Sequence, residues 1–306
     1  MAPAAEPLPA GRTARIRVPA NSANLGPGFD SLGMAFDWYD ECELEVLAEG
    51  VEVRVTGEGA ETVPSDRTHL VIACLDRGLA ALGAYAPGVR LVAHNTIPHT
   101  RGLGSSAAAA VAGLRAAWTL ARPEVPVDES WLLEQAYAVE GHADNVAAAI
   151  LGGFVLTWVD DETGAGVHAV PAPVHPDVRI LAYVHAEPVA TRTARGVLPE
   201  SVPHAEAAAN AARAALLTHA LGRAPELLLP ATREWLHQDQ RTELMPESLD
   251  LLKSLRAKGF GAVISGAGPT VLVLTDADRA AQLDGSEAPG FALHRLGLGR
   301  GATSES

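Results

Sequence analysis

The stretch Pro98-His-Thr-Arg-Gly-Leu-Gly-Ser-Ser-Ala-Ala-Ala-Ala110 constrains this chain more than any other. Gly102 and Gly104 let the backbone turn sharply and approach a ligand closely. Ser105 and Ser106 stand where the alanine run predicts a helix to begin. That helix should continue to about Leu120, with Pro123 stopping it. A helix start exposes unpaired N–H groups and a partial positive charge, and both suit a phosphate. A short strand at Arg90-Leu-Val-Ala93 feeds the loop. The arrangement predicts a polyphosphate cradle and phosphoryl transfer, although an isolated turn of this kind also serves as an ordinary strand-to-helix connection.

Other glycine-loop chemistries are excluded. GxxxxGK[ST] does not occur and no lysine lies near the loop, since Lys253 and Lys258 are the only two in the chain, so this is not a Walker A loop. H-R-D and D-F-G elements are missing, which removes a protein kinase, and no GxSxG elbow supports a serine hydrolase. Gly266-Ala-Gly268 follows a predicted strand at Ala262-Val-Ile-Ser265 but precedes another at Thr270–Leu274. It therefore fails the dinucleotide fingerprint, which needs a helix there. The net charge of −14 argues against nucleic-acid or anionic-membrane partners. Cys42 and Cys74 form no CxxC pair, so a zinc site is not expected and both should be small buried side chains. With no signal-peptide pattern and no membrane-length apolar run, the expected location is cytoplasmic.

The 306 residues suggest two domains. Residues 1–12 and 299–306 read as disordered tails. The segments 13–170 and 177–298 are the expected domains, separated by the proline-rich Pro171-Ala-Pro-Val-His-Pro176. Strands are expected at Arg15–Val18, at Asp40–Leu47 and Val51–Val55 as a pair about Glu49-Gly50, and at Phe154–Val159 and Arg179–Val184. Leu70–Leu82 has helical spacing. A second helix should run from Glu129 to Val139 with Asp128 as N-cap and Gly141 as C-terminal turn residue, and a third should begin near Asn145. Asp160–Gly166 reads as a polar turn, and helices are expected at about 204–221 and 248–258. Strands and helices mix without strict alternation, so the class is α+β.

Three further groups carry chemistry. Glu140-Gly-His-Ala-Asp-Asn145 packs three ionisable groups and an amide into six residues. Glu140 ends a predicted helix, where its charge opposes the dipole by about 0.3–1 kcal/mol. A magnesium ion would relieve that conflict, and a solvated turn is the plainer alternative. Asn24 and Asp30 lie in the Asn-, Gly- and Pro-rich loop 21–30 and suit either a small polar substrate or a self-satisfied Asx turn. Arg192, Arg195 and Arg241 have guanidinium groups suited to carboxylates, though composition alone selects none of them.

Taken together, Ser22–Gly33, Pro98–Ala109, Glu140–Val146, Thr191–Pro199, His237–Pro246 and Ile264–Thr270 resemble the GHMP kinase superfamily, and within it the homoserine kinase family. The motifs run in family order from about residue 15 to 275. The resemblance implies a two-domain α+β fold, with an N-terminal ribosomal-protein-S5-like domain and a ferredoxin-like C-terminal domain. It implies ATP as co-substrate with Mg²⁺, L-homoserine as acceptor, and a place in threonine biosynthesis. Pro98, Arg101, Gly102, Leu103, Gly104, Ser105, Ser106, Ala107 and Ala108 would wrap the ATP phosphates, with Ser106 and Glu140 as metal ligands. Asn24, Asp30, His142, Asp144 and Asn145 would surround the amino and hydroxyl groups. Arg195 and Arg241 would hold the carboxylate, with Thr191 and Gly266 nearby.

The catalytic assignment falls on Asp144, Asn145 and Asp30. Asp144, Asp30 or the γ-phosphate itself could take the hydroxyl proton, and the sequence leaves all three open. A different GHMP alcohol kinase (for mevalonate or a sugar) and a non-catalytic nucleotide or amino-acid sensor are the alternatives, and a homodimer is left open. Two departures from the family pattern stand out. Ala148 replaces a usual proline, and His69 replaces an asparagine that often contacts adenine.

Overall fold

A computed structural model describes residues 5–160, 166–283 and 288–305. In chain order the elements are β1 (Glu6–Pro7), β2 (Thr13–Ala23), β3 (Leu32–Leu47), β4 (Gly50–Gly57), α1 (Leu70–Ala81), β5 (Ala84–Tyr85) and β6 (Gly88–Asn95). Next come α2 (Ser105–Ala121), α3 (Glu129–Glu140), α4 (Ala143–Leu151), β7 (Phe154–Val159), β8 (Val167–Ala172), β9 (Arg179–His185), α5 (Thr191–Gly196) and α6 (His204–Arg223). The chain continues with α7 (Leu228–Ala231), α8 (Pro246–Ala257), β10 (Gly261–Ile264), β11 (Val271–Thr275), α9 (Ala277–Ala281), β12 (Phe291–Leu296) and β13 (Thr303–Glu305). Single 3₁₀ turns form at Pro225–Leu227 and Asp239–Arg241.

The first sheet has the order β13-β2-β3-β6-β4, and β7 joins β3 and carries β8. β2 shows why it forms: Ala14, Ile16 and Val18 are buried while Thr13, Arg15 and Arg17 face solvent, the alternation of a half-buried strand. Helix α2 is buried along most of its length, because its alanines let it lie close to α1 and to the sheet. A Cβ at Gly113 would come within 2.1 Å of the Val71 carbonyl oxygen, so the α1–α2 approach requires that glycine. Asp128 caps α3 by accepting from the N–H groups of Ser130 and Trp131, and Gly141 ends it at φ +75°, as the sequence predicts.

The second sheet, β10-β11-β9-β12, is antiparallel. Its two faces enter different cores. Ile180, Ala182, Leu272 and Leu274 join the large core of the first half, whereas Leu181, Tyr183, Val271 and Val273 pack with Leu249, Leu252 and Phe260. The second half is thus fused to the first through a shared apolar core, which holds the cleft between them in shape. No helix among the described residues is long and apolar enough to cross a membrane.

Three sequence expectations need correction. β4 does not pair with β3; β6 lies between them, antiparallel to β3 and parallel to β4. The expected tail 299–306 returns to the first sheet, where Thr303–Glu305 pairs with Arg15–Arg17 and supplies an edge strand. Within the expected tail 1–12, Glu6–Pro7 pairs with β5 and Leu8 is buried. Local composition hid these contacts because each partner is distant in sequence. Residues 161–165 of the expected polar turn, together with 1–4 and 306 of the tails, lie outside the described residues.

Candidate active site

The loop before α2 turns through Gly102 (φ +75°) and Gly104 (φ +71°). Neither tolerates a side chain: a Cβ would sit 2.1 Å from the Ser265 carbonyl oxygen at Gly102 and 2.2 Å from Asn21 Oδ1 at Gly104. No side chain caps α2, so its first-turn N–H groups stay open toward the cleft. The second half clamps this loop: Ser265 Oγ donates to the Gly102 carbonyl at 2.6 Å.

Two neighbouring cavities share Thr100, Ser105 and Ser106. One, about 140 Å³, is lined by Asn24, Asp30, Gly102, Leu103, Gly104, Glu140, His142, Asn145, Thr191, Arg195, Arg241 and Gly266. The other, about 240 Å³, is mostly apolar and includes Ile16, Val18, Val63, His69, Leu70 and Ala108. Most of the sequence-predicted residues therefore meet around one space. Pro98, Arg101 and Ala107 line neither cavity. Ala107 is buried under the helix, and Arg101 spends its guanidinium on the carbonyls of His99, His185 and Ala186. Arg101 thus latches the loop to the end of β9.

Ser106 Oγ lies 3.1 and 3.0 Å from the two Glu140 carboxylate oxygens, and His142 Nδ1 is 3.3 Å from Oε1. The left-handed Gly141 makes this possible, since it swings the chain from the end of α3 into α4 and leaves Glu140 facing the start of α2. A carboxylate at a helix C-terminus is unfavourable by itself. Here it gains a hydroxyl donor.

Asn24 joins the two halves. Its backbone N–H donates to Asp144 Oδ2 at 3.0 Å, its Nδ2 to the Gly266 carbonyl at 3.0 Å, and its Oδ1 accepts the Asp30 N–H at 3.0 Å. The loop achieves this with Asn24, Leu25 and Asp30 all at positive φ (69°, 46° and 54°), conformations that Asn and Asp tolerate better than most residues. Asp144 is fully buried beneath the small cavity and does not line it. Its other oxygen accepts the Asn145 N–H at 3.0 Å. Burial pushes its carboxyl up to about 6, and the Asp30 charge adds to the rise, while the Asn24 and Asn145 N–H groups oppose it.

The two arginines occupy different settings. Arg241 is 1% exposed, with Nε donating to the Ala194 carbonyl and Nη1 donating to the Gly266 carbonyl and to His237 Nδ1, each at 3.1 Å. Burial, and then the Arg195 charge, lower its guanidinium to about 10, which leaves it cationic at neutral pH. Arg195 extends from α5 to Asp30, with Nη2–Oδ1 at 2.5 Å and Nη1–Oδ2 at 3.3 Å.

His237 opens the His237–Pro246 string, but the sequence assigned it no role. It is buried, its Nε2 lies 2.9 Å from the Gly26 carbonyl, and it stacks on Phe29 at 5.0 Å. With a carbonyl on that side, Nε2 carries the proton and Nδ1 accepts from Arg241. Glu234 fixes the turn by accepting the N–H groups of Leu236, His237 and Gln238. The Glu234-x-x-His237 spacing adds a second clue to its place at the head of that string. Arg192 does not line the cavity.

Similarity to known proteins spans both halves of the chain. The GHMP kinases N terminal domain matches residues 69–153 and the GHMP kinases C terminal domain matches residues 205–283. The homoserine kinase of Streptomyces coelicolor is 48% identical over 94% of this chain and 93% of its own length. That of Cutibacterium acnes is 50% identical over 94% and 97%. A crystal structure of homoserine kinase from Cytophaga hutchinsonii superimposes with a TM-score of 0.82 at 28% identity, covering 96% of this chain and 97% of that one. Mevalonate kinase of L. major, at 16% identity and a TM-score of 0.66, shares the fold over 97% of this chain and 99% of its own. The chain belongs to the homoserine kinase family of the GHMP kinases.

Proposed function

We propose that this chain transfers the γ-phosphoryl group of ATP to the hydroxyl of L-homoserine, giving O-phospho-L-homoserine and ADP, a step in threonine biosynthesis. One observation carries the reading. The small cavity beside the glycine loop is bounded by a carboxylate, Asp30, and by two guanidiniums, Arg195 and Arg241. An amino acid brings the complementary ammonium and carboxylate, and its hydroxyl can then face the loop.

In this reading the open N–H groups of Gly102–Ser106 and the α2 dipole bind the phosphates, and the apolar cavity takes the nucleoside. Asp30 and the Asn24 side chain receive the ammonium, and Arg195 and Arg241 receive the carboxylate. Loose phosphoryl transfer needs positioning and charge neutralisation more than covalent help. Ser106 and Glu140 suit a magnesium ion: both offer hard oxygens, 3.0 Å apart. Two protein oxygens leave the remaining positions of such an ion to phosphate and water oxygens. When bound, such an ion neutralises phosphate charge.

The carboxylates around the cavity are all engaged. Asp30 pairs with Arg195 and, in this reading, exchanges it for the substrate ammonium, Glu140 faces Ser106, and both Asp144 oxygens accept backbone N–H groups. Asp144 accordingly acts as a positioning residue for Asn24, and the hydroxyl proton passes to a phosphoryl oxygen. ADP release measured with Mg-ATP and a panel of small alcohols tests the proposal. Turnover of homoserine well above mevalonate and sugars is expected. Turnover of another alcohol alone, or of none, would overturn it.

A further inference from the structure

The site that would receive the two substrate charges is not open: its acidic and basic halves hold each other. Asp30 and Arg195 form a two-pronged ion pair across the cavity. Asp30 sits on the first half with its N–H tied to Asn24, and Arg195 projects from α5 of the second. Both side chains are partly exposed, at 45% and 37%, so the pair can open without unfolding anything. Each end would stay in place after separation. The Asp30 backbone is fixed by Asn24, and the Arg195 guanidinium lies over the Phe29 ring, 5.4 Å from its centroid. Arg241 is held by Ala194, His237 and Gly266 and does not share the carboxylate.

We propose that the Asp30–Arg195 ion pair is an internal stand-in for the zwitterionic substrate, so that a ligand is accepted only if it supplies both charges. The inference rests on the amino-acid acceptor reading above. A zwitterion replaces the pair completely: its ammonium takes over Asp30 and its carboxylate takes over Arg195 beside Arg241. A ligand with one charge breaks the same pair and strands the other member without a partner. The site thereby discriminates against hydroxy acids and amino alcohols by more than the missing contact. Because the pair is partly exposed, its own hold amounts to about 0.2–1 kcal/mol, a masking of roughly 1.4- to 5-fold.

This predicts gains as well as losses. Removing one member unmasks the other. Asp30→Asn should bind 4-hydroxybutanoate, which lacks the ammonium, about 1.4- to 5-fold more tightly than the wild-type protein does. The same variant should lose homoserine affinity by about tenfold or more. Arg195→Gln should show the mirror image, with tighter binding of 3-aminopropan-1-ol and weaker binding of homoserine. Calorimetric titration of the three ligands into wild type and both variants, each with a non-hydrolysable ATP analogue present, reads this without turnover. Circular dichroism checks the fold of each variant.

Gains for the singly charged ligands together with losses for homoserine support the stand-in. If every ligand binds each variant equally or more weakly than wild type, the pair masks nothing and the proposal fails. Failure of the acceptor reading looks different: wild type would then neither bind nor phosphorylate homoserine.

Discussion

Asp144 Oδ2 accepts the backbone N–H of Asn24 at 3.0 Å, across 120 residues of chain. Asn24 in turn holds Asp30 and the Gly266 carbonyl. One buried carboxylate thus orients both the loop that faces the acceptor and its junction with the second half.

Asp144 makes stability depend on pH. Burial raises its carboxyl from 3.8 to about 6, so between these values the folded chain binds more protons than the unfolded chain. Its contribution to stability therefore falls as pH rises from about 4 to about 6, by on the order of 3 kcal/mol, and is flat above. Urea unfolding of wild type and Asp144→Asn across this range should show that component in the wild type and lose it in the variant. The same substitution should raise KM for homoserine about tenfold, with kcat changed less, because it loosens Asn24. A kcat loss of about 100-fold or more at unchanged KM would instead make Asp144 the base.

Glu140 faces Ser106 Oγ at 3.0 and 3.1 Å. Glu140→Gln keeps the shape and a hydrogen bond to the hydroxyl but removes the charge. A magnesium titration of ADP release should move to higher concentration, and kcat/KM should fall about 100-fold at saturating metal. An unchanged magnesium dependence would remove Glu140 from the metal site and leave it as a partner for Ser106 alone.

Arg241 cannot be replaced by its nearest charged analogue. Its rigid guanidinium reaches the Ala194 carbonyl, the Gly266 carbonyl and His237 Nδ1 together, and a lysine ammonium has neither the span nor the planar geometry. Arg241→Lys should lower stability by about 1–3 kcal/mol in denaturant melts. It should also raise KM for homoserine while leaving KM for ATP near the wild-type value. Wild-type kinetics in the lysine variant would show that charge alone suffices.

The residues that were legible in the sequence obey local rules. Asp128 and Gly141 bound α3 because capping and left-handed turns depend on a few adjacent residues. The glycine loop announced itself for the same reason, and motif order brought Asn24, Glu140, Arg195 and Arg241 to one cavity. What stayed hidden depends on distant partners. β6 inserts between β3 and β4, and Thr303–Glu305 returns to β2, through pairings that no local pattern encodes. Arg101 lies inside the phosphate motif, yet its side chain follows carbonyls of β9 and the residue after it. His237 is a lone histidine in a polar turn, and only the fold shows that it supports Arg241.

His69 is the departure with the clearest consequence. It is 5% exposed, lines the apolar cavity, and caps the start of α1 without a side-chain hydrogen bond. Neither ring nitrogen has a hydrogen-bond partner among the described residues. Burial lowers its pKa, so at neutral pH the ring is uncharged and offers one donor and one acceptor. An unpartnered buried polar group costs about 1–3 kcal/mol, which a nucleobase edge would offset on binding. His69→Leu should therefore stabilise the ligand-free protein by about 1 kcal/mol while raising KM for ATP about tenfold, with KM for homoserine unmoved. His69→Asn, which restores an amide with a donor and an acceptor, should keep KM for ATP within a few-fold of wild type. Thermal melts and ADP-release kinetics on the two variants decide it. A leucine variant that is less stable yet binds ATP as well as wild type would leave His69 as a packing residue.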